Sequence, residues 1–216
     1  GDVYKRQGTD DGLNKYNPYK NRFTSFSREV GGSDDNVVDA LITTQEGDEE
    51  IVWVGAWGGG LTQLRRMQNN GPAFQSLSFG KTLQNQAHFR YIRAFGYSEF
   101  AAEKHLWIGT DGEGLFQVKI NSPDKGRLTH FRHDDVNPNS LVNNQIRVIH
   151  IAPEQKRIWI GTAVGLSRID FDDDGQVNFK NYNESSLSNI GFVNDEIKAL
   201  HQTNTVSYTH LTLPTT

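Results

Sequence analysis

The chain has 216 residues, a size for one or two domains, and its 35% hydrophobic content and mean hydropathy of −0.63 are low for a fold with one thick core. Its net charge of −4 is spread over interspersed residues of both signs, so no basic patch points to nucleic acid. The absence of cysteine excludes disulfides and thiolate metal sites, and 21 glycines suit an all-β chain with many tight turns.

The first element in chain order is a Gly-rich turn, Gly8–Leu13 (GTDDGL), leading into strands at Leu13–Tyr16 and Phe23–Phe26. An apolar strand with one charged residue inside it follows at Val38–Leu41, then a strand around Trp53. After the turn of Val52–Leu61 (VWVGAWGGGL) come strands at Leu61–Leu64 and Phe74–Leu77. The same order recurs twice. Phe89-Arg90-Tyr91-Ile92, the Trp107 strand, Leu115–Val118 and Leu128–Phe131 form one set; Ile146–Ile149, the Trp159 strand, Leu166–Ile169 and Phe179–Tyr182 form the next. A last apolar strand is expected at Ile197–Leu200. Aligned on Gly8, Gly55, Gly109 and Gly161, the repeats are 47, 54 and 52 residues apart, close to the length of a four-stranded propeller blade. These runs are short, rich in β-branched and aromatic residues, and bounded by Gly, Asn, Asp and Pro.

No window keeps apolar residues at helical spacing without a turn cluster interrupting it. A β-sandwich would not repeat one strand order four times, whereas a propeller does. Burial of both blade faces explains why the Trp strands are continuously apolar, with Trp53, Trp107 and Trp159 expected between blades. The glycines before the third strand (Gly12, Gly60, Gly114, Gly165) are expected to supply positive φ or close backbone approach. They are not phosphate cradles. Gly80-Lys81-Thr82 has Gln75 where a P-loop needs glycine, and no βαβ unit surrounds any Gly cluster. The expected fold is all-β: a partial propeller of about three and a half four-stranded antiparallel blades forming an open arc.

With that strand order in place, the repeats resemble the two-component regulator propeller repeat. Leu106–Ile149 carries the likeness, with LWIGTDGEGLFQV and then LTHFRHDDVNPNSLVNNQIRVI; Gly8–Phe26 and Ile158–Leu200 also match. The blade around Gly55–Ile92 departs from it, since Ala56-Trp57 replaces the usual Thr. The resemblance implies the extracytoplasmic sensor region of a hybrid histidine kinase: periplasmic, anchored in the inner membrane, and often found in glycan-using bacteria. Implied partners are the remaining blades, a homodimer partner and a carbohydrate ligand, with the kinase outside this sequence. Both termini resemble translated sequencing adapters. Residues 1–7 and 205–216 are accordingly read as adapter-like tails, and 8–204 as an incomplete propeller domain.

By analogy with other propellers, the Gly-rich turns and the loops between blades share one face. That rim would carry Asp10, Asp11, Trp57, Asp111 and Glu113, with the loops 28–36, 134–145 and 183–195. A polar, acidic rim with one free aromatic suits a sugar, and Trp57, Asp111 and Glu113 are the candidate ligand-binding residues. No cofactor is expected, although Asp170, Asp172, Asp174 and Asn178 have the spacing of a calcium loop that lacks its twelfth-position acid. The commoner explanation of that segment is a plain Asp-Gly hairpin turn. No catalytic constellation is visible. His130 and His133 are three apart in a strand and point to opposite faces, and no nucleophile elbow occurs. The fragment is therefore read as a non-enzymatic, ligand-sensing segment. The alternatives are a propeller lyase or hydrolase and a protein-binding scaffold.

Overall fold

The structure is a computed structural model that describes residues 5–9, 12–17, 22–26, 37–67, 71–76, 89, 91–100, 102–121, 126–172, 175–183 and 196–202. The chain is all-β, with fifteen strands in four antiparallel sheets among these residues. Beside them lies one single-turn 3-10 helix at Pro153–Gln155. The chain divides into two compact units, Gly1–Arg93 and Ala94–Thr216.

In the first unit, β1 (Lys5–Thr9), β2 (Gly12–Asn17) and β3 (Arg22–Phe26) form a three-stranded sheet in sequence order. Lys5–Gln7, assigned from sequence to a tail, pair with Tyr16, Lys15 and Asn14 of β2. The second sheet is a four-stranded meander of β4 (Val38–Glu46), β5 (Glu49–Ala56), β6 (Gly60–Met67) and β7 (Gly71–Ser76). Ile51 to Ala56 of β5 are all buried, as a strand covered on both faces requires. Trp53 is 3% exposed, and its indole N–H donates to Thr44 Oγ1 at 2.8 Å, which removes the cost of burying a polar group.

The third sheet repeats the meander with β8 (Ile92–Phe100), β9 (Glu103–Thr110), β10 (Leu115–Lys119) and β11 (Leu128–Phe131). The fourth does so with β12 (Ile146–Ala152), β13 (Arg157–Thr162), β14 (Gly165–Phe171) and β15 (Val177–Tyr182). One core joins these two sheets. Trp107, Leu115, Ile146, Ile149, Ile158, Ile160 and Ile169 are buried together, with Phe131 and Phe171 packed against them. Trp107 is fully buried between Phe131 and Phe171, at centroid distances of 6.1 Å to each, and donates to Ser98 Oγ at 2.8 Å. Trp107 therefore fills the space between blades, as its continuously apolar strand predicts. Trp159 is only half-buried, and Arg168 lies 5.7 Å from its ring centroid.

The glycine that ends the Trp strand has a packing role. A Cβ at Gly109 would stand 2.5 Å from Ile146 Cγ2, and one at Gly161 would stand 2.7 Å from Ile197 Cγ2. The residue that opens the following repeat, Ile146 of β12 or Ile197, thus lies directly on this glycine, where any side chain would push it away.

Two expected strands differ. The charged inner strand of the third sheet begins at Ile92, so its charged residue is Arg93; Arg90 lies outside the described residues. Tyr91 bridges Trp57 as Gln145 bridges Asp111, which fixes the equivalence of Ile92-Arg93 with Ile146-Arg147. At the other end of the chain, Ile197–Leu200 forms no strand. Ile197 is buried and its N–H donates to Thr162 O at 2.9 Å, but no second strand among the described residues pairs with this segment.

Candidate functional site

Gly112 and Gly114, both at positive φ, reverse the chain between β9 and β10. At Gly114, with φ of +85°, an added Cβ would strike the carbonyl oxygen of Phe131, so only glycine closes this turn. Thr110 holds the turn from inside. Its hydroxyl donates to Gly114 O at 2.8 Å and accepts from Glu113 N at 3.1 Å. The N–H groups of Gly112 and Gly114 both donate to Asn144 O, at 3.1 and 3.0 Å, which fastens the turn to the loop arriving at β12.

The two predicted acids on this turn are drawn apart. Asp111 faces the next repeat, where Arg147 Nη1 donates to its Oδ1 at 3.1 Å; its side chain is only 13% exposed. Arg147 sits at a β-bulge, because Ile146 pairs with Thr162 and Val148 with Gly161. A bulge re-aims the side chain it carries, here toward the preceding turn. Arg147 also donates from Nε to Glu196 Oε1 at 3.0 Å. Burial disfavours its charge, but Glu196 and Asp111 outweigh that and hold its pKa above the ordinary arginine value. Glu113 turns instead to the end of β11, where Arg132 Nη1 donates to its Oε2 at 2.8 Å on an exposed surface. His130 contacts the Glu113 carbonyl at 2.6 Å while stacking on Phe116 at 4.0 Å.

Trp57, the third candidate, is half-buried at the equivalent turn position of the second sheet. Its ring lies 4.6 Å from that of Tyr91, and the Arg93 guanidinium stands 4.8 Å over it. Arg93 also donates to Asp39 Oδ2 at 3.0 Å, and Asp39 again sits at a β-bulge. Arg93 on Trp57 and Arg147 on Asp111 are the same contact in successive repeats, made once with a π face and once with a carboxylate. This arginine was missed in the sequence because charge within an apolar strand reads as solvated. Its repeated position, one residue into the inner strand, is the signal that could have found it.

Of the expected rim loops, 134–145 is described; 28–36, most of 183–195, and Asp10 and Asp11 lie outside the described residues. The polar groups of 134–145 serve the fold. Val136 N donates to Asp134 Oδ1, Asp134 N to Ser140 Oγ and Gln145 N to Asn143 Oδ1. Asn139 Oδ1 accepts from Phe179 N at 2.6 Å and Asn181 Nδ2 donates to Ser140 O at 2.9 Å, while Leu141 is fully buried. The Asn-Ser-Leu segment is thus a clasp laid along β15.

The calcium-spaced segment is a hairpin. Asp172 O accepts from Gly175 N at 3.0 Å, and Asp172 Oδ1 accepts from Gln176 N at 2.7 Å. Asp170 is held by two arginines, Arg157 Nε at 2.6 Å on Oδ1 and Arg168 Nε at 2.8 Å on Oδ2. Asn178 lies opposite it across the β14–β15 ladder, and Asp174 is outside the described residues.

No protein-family model matches the chain, and no curated protein does. Among solved structures, it is similar to an ancestral GH74 enzyme at 17% identity and TM-score 0.58, over 83% of this chain and 26% of that one. It is also similar to a structure described as the extracellular domain of a hybrid two component system from B. thetaiotaomicron, at 18% identity and TM-score 0.53, over 92% and 29% of the two chains. A third, virginiamycin B lyase from Staphylococcus aureus, aligns at 12% identity and TM-score 0.49, over 85% and 52%. The chain thus spans between a quarter and about half of these structures. The first two likenesses define the class, an all-β chain built of propeller-like blades.

Proposed function

We propose that the chain is a ligand-sensing segment of the extracellular propeller of a two-component signalling protein, and that a carbohydrate is its ligand. One observation carries the reading: consecutive four-stranded meanders repeat the Trp strand and the Gly-rich turn, and the Asn-Ser-Leu clasp at 139–141 follows the third sheet, in the order of the two-component regulator repeat. The likeness to an extracellular domain of a B. thetaiotaomicron two-component system supports it. So does the fate of the rim acids. Asp111 and Glu113 each meet an arginine and point to different neighbours, an arrangement suited to holding blades and offering polar contacts rather than to paired acid–base chemistry. Glu113 and Arg132, both exposed, are the polar pair best placed to meet a sugar hydroxyl. In this reading the segment lies in the periplasm of an inner-membrane-anchored protein, with the remaining blades, a homodimer partner and a histidine kinase supplied by the parent.

The test is a glycan array with the complete ectodomain of the parent, followed by a turnover assay on each hit. Binding without turnover is the expected result. Cleavage of a bound glycan would favour the second reading, a propeller hydrolase or lyase, which the likeness to the GH74 enzyme supports.

A further inference from the structure

β15 is the outer strand of the fourth sheet, and its sequence, Val-Asn-Phe-Lys-Asn-Tyr, is one that edges seldom carry unprotected. Val177, Phe179 and Tyr182 favour strands, Lys180 is its one charge, and it has neither Pro nor Gly. Asn178, Lys180 and Tyr182 pair with Asp170, Arg168 and Leu166 of β14. Backbone groups alternate between the two sides of a strand, and the N–H of Phe179 points away from β14, to Asn139. Val177, Phe179 and Asn181 therefore present their N–H and C=O groups on the outer edge, where a further strand could add.

The clasp at 139–141 sits on these same groups. Asn139 Oδ1 accepts from Phe179 N at 2.6 Å, and its Nδ2 lies 3.5 Å from Val177 O. One side-chain amide thus meets a backbone donor and a backbone acceptor of the edge, as a residue of an added strand would. Next to it, Ser140 O accepts from Asn181 Nδ2 at 2.9 Å, and the fully buried Leu141 anchors the segment. Residues 139–141 belong to no strand, so they fill the edge without presenting a new one.

We propose that this clasp is an edge guard: by occupying the outer hydrogen-bonding groups of β15, it stops the strand from pairing antiparallel with β15 of a second copy of the chain. An antiparallel pair centred on Phe179 would set Val177 opposite Asn181 and Asn178 opposite Lys180. No like charges then face each other, so the bare edge is complementary to itself and Lys180 alone does not protect it. The guard does not rest on the sensor reading, so either can fail alone.

The experiment places one spin label on β15. The chain has no cysteine and Asn178 is exposed, so Asn178→Cys gives a single labelling site on this strand. With the clasp intact, the label spectrum should show no dipolar broadening as protein concentration rises. Asn139→Ala should introduce broadening that grows with concentration, because two β15 strands then lie side by side. Adding Val177→Pro removes one outer N–H at the first residue of the strand, where proline is tolerated, and should abolish the broadening. Clumping of misfolded chains would survive that proline, which separates edge pairing from loss of fold. If Asn139→Ala does not fold, Asn139→Ser, too short to meet both backbone groups, is read in the same way. Broadening with the clasp intact, none in the folded Asn139 variant, or broadening that persists with Val177→Pro would each overturn the proposal.

Discussion

Arg147 on the bulge of β12 donates to Asp111 at 3.1 Å, so the inner strand of one repeat is fastened to the turn of the repeat before it. The same arginine reaches forward to Glu196, which leads into the following repeat. One side chain thereby ties three consecutive repeats together. Replacing Arg147 by Met should lower stability by about 1–3 kcal/mol, since the largely buried Asp111 and the part-exposed Glu196 each lose a charged hydrogen bond. A urea-denaturation cycle with Asp111→Asn should return a coupling of about 0.5 kcal/mol or more. Strict additivity of the two substitutions would contradict the linkage.

Trp107→Ala should cost about 3–5 kcal/mol, because the cavity would open at the centre of the core shared by two sheets. Trp159→Ala should cost clearly less, since that ring is already half-exposed. Circular dichroism during chemical denaturation reads both. Equal losses for the two tryptophans would argue against the burial difference.

His133 has an acceptor on each ring nitrogen: Leu141 O lies 2.6 Å from Nδ1, and an Asp135 carboxylate oxygen lies 2.9 Å from Nε2. Only the doubly protonated ring can donate to both. The Leu141 carbonyl raises the His133 pKa, burial opposes, and Asp135 adds to the rise, leaving it above the ordinary value of 6.5. The stabilisation is therefore fully present below that ordinary value and is lost as pH rises through the higher folded-state value. His133→Gln should flatten the fall of melting temperature over this window. An NMR titration that places the His133 midpoint below 6.5 would reverse the sign.

Asp170 bears on calcium. Burial works against its charge, but Arg157 and Arg168 outweigh it and hold its carboxyl below the usual aspartate range. Its contribution is present above the ordinary value of 3.8 and lost as pH falls through the lower folded-state value. A cation would have to displace both guanidinium groups, so millimolar calcium should leave the melting temperature unchanged, whereas Asp170→Asn should lower it at neutral pH. A calcium-dependent rise that disappears in Asp172→Asn would place a cation in this hairpin.

The sequence alone determined the repeat, the four-strand order of each blade, the burial of Trp53 and Trp107, and the positive φ of Gly60, Gly114 and Gly165. Those features are local: strand periodicity, turn chemistry and one bulky ring per repeat leave few alternatives. Only the tertiary structure decided the rest. Apolar alternation allows the inner strand to start at Phe89 or at Ile92, and the bridge from Trp57 to Tyr91 settles it at Ile92. Nothing in LWIGTDGEGL states that Asp111 turns inward to an arginine 36 residues later while Glu113 turns outward to one 19 residues later. Nor does spacing reveal that Asp170 is held by Arg157 across the β13–β14 ladder as well as by Arg168 on its own strand. The partner of a charged side chain is set by bulges and strand register at long range, and a linear pattern does not carry that information.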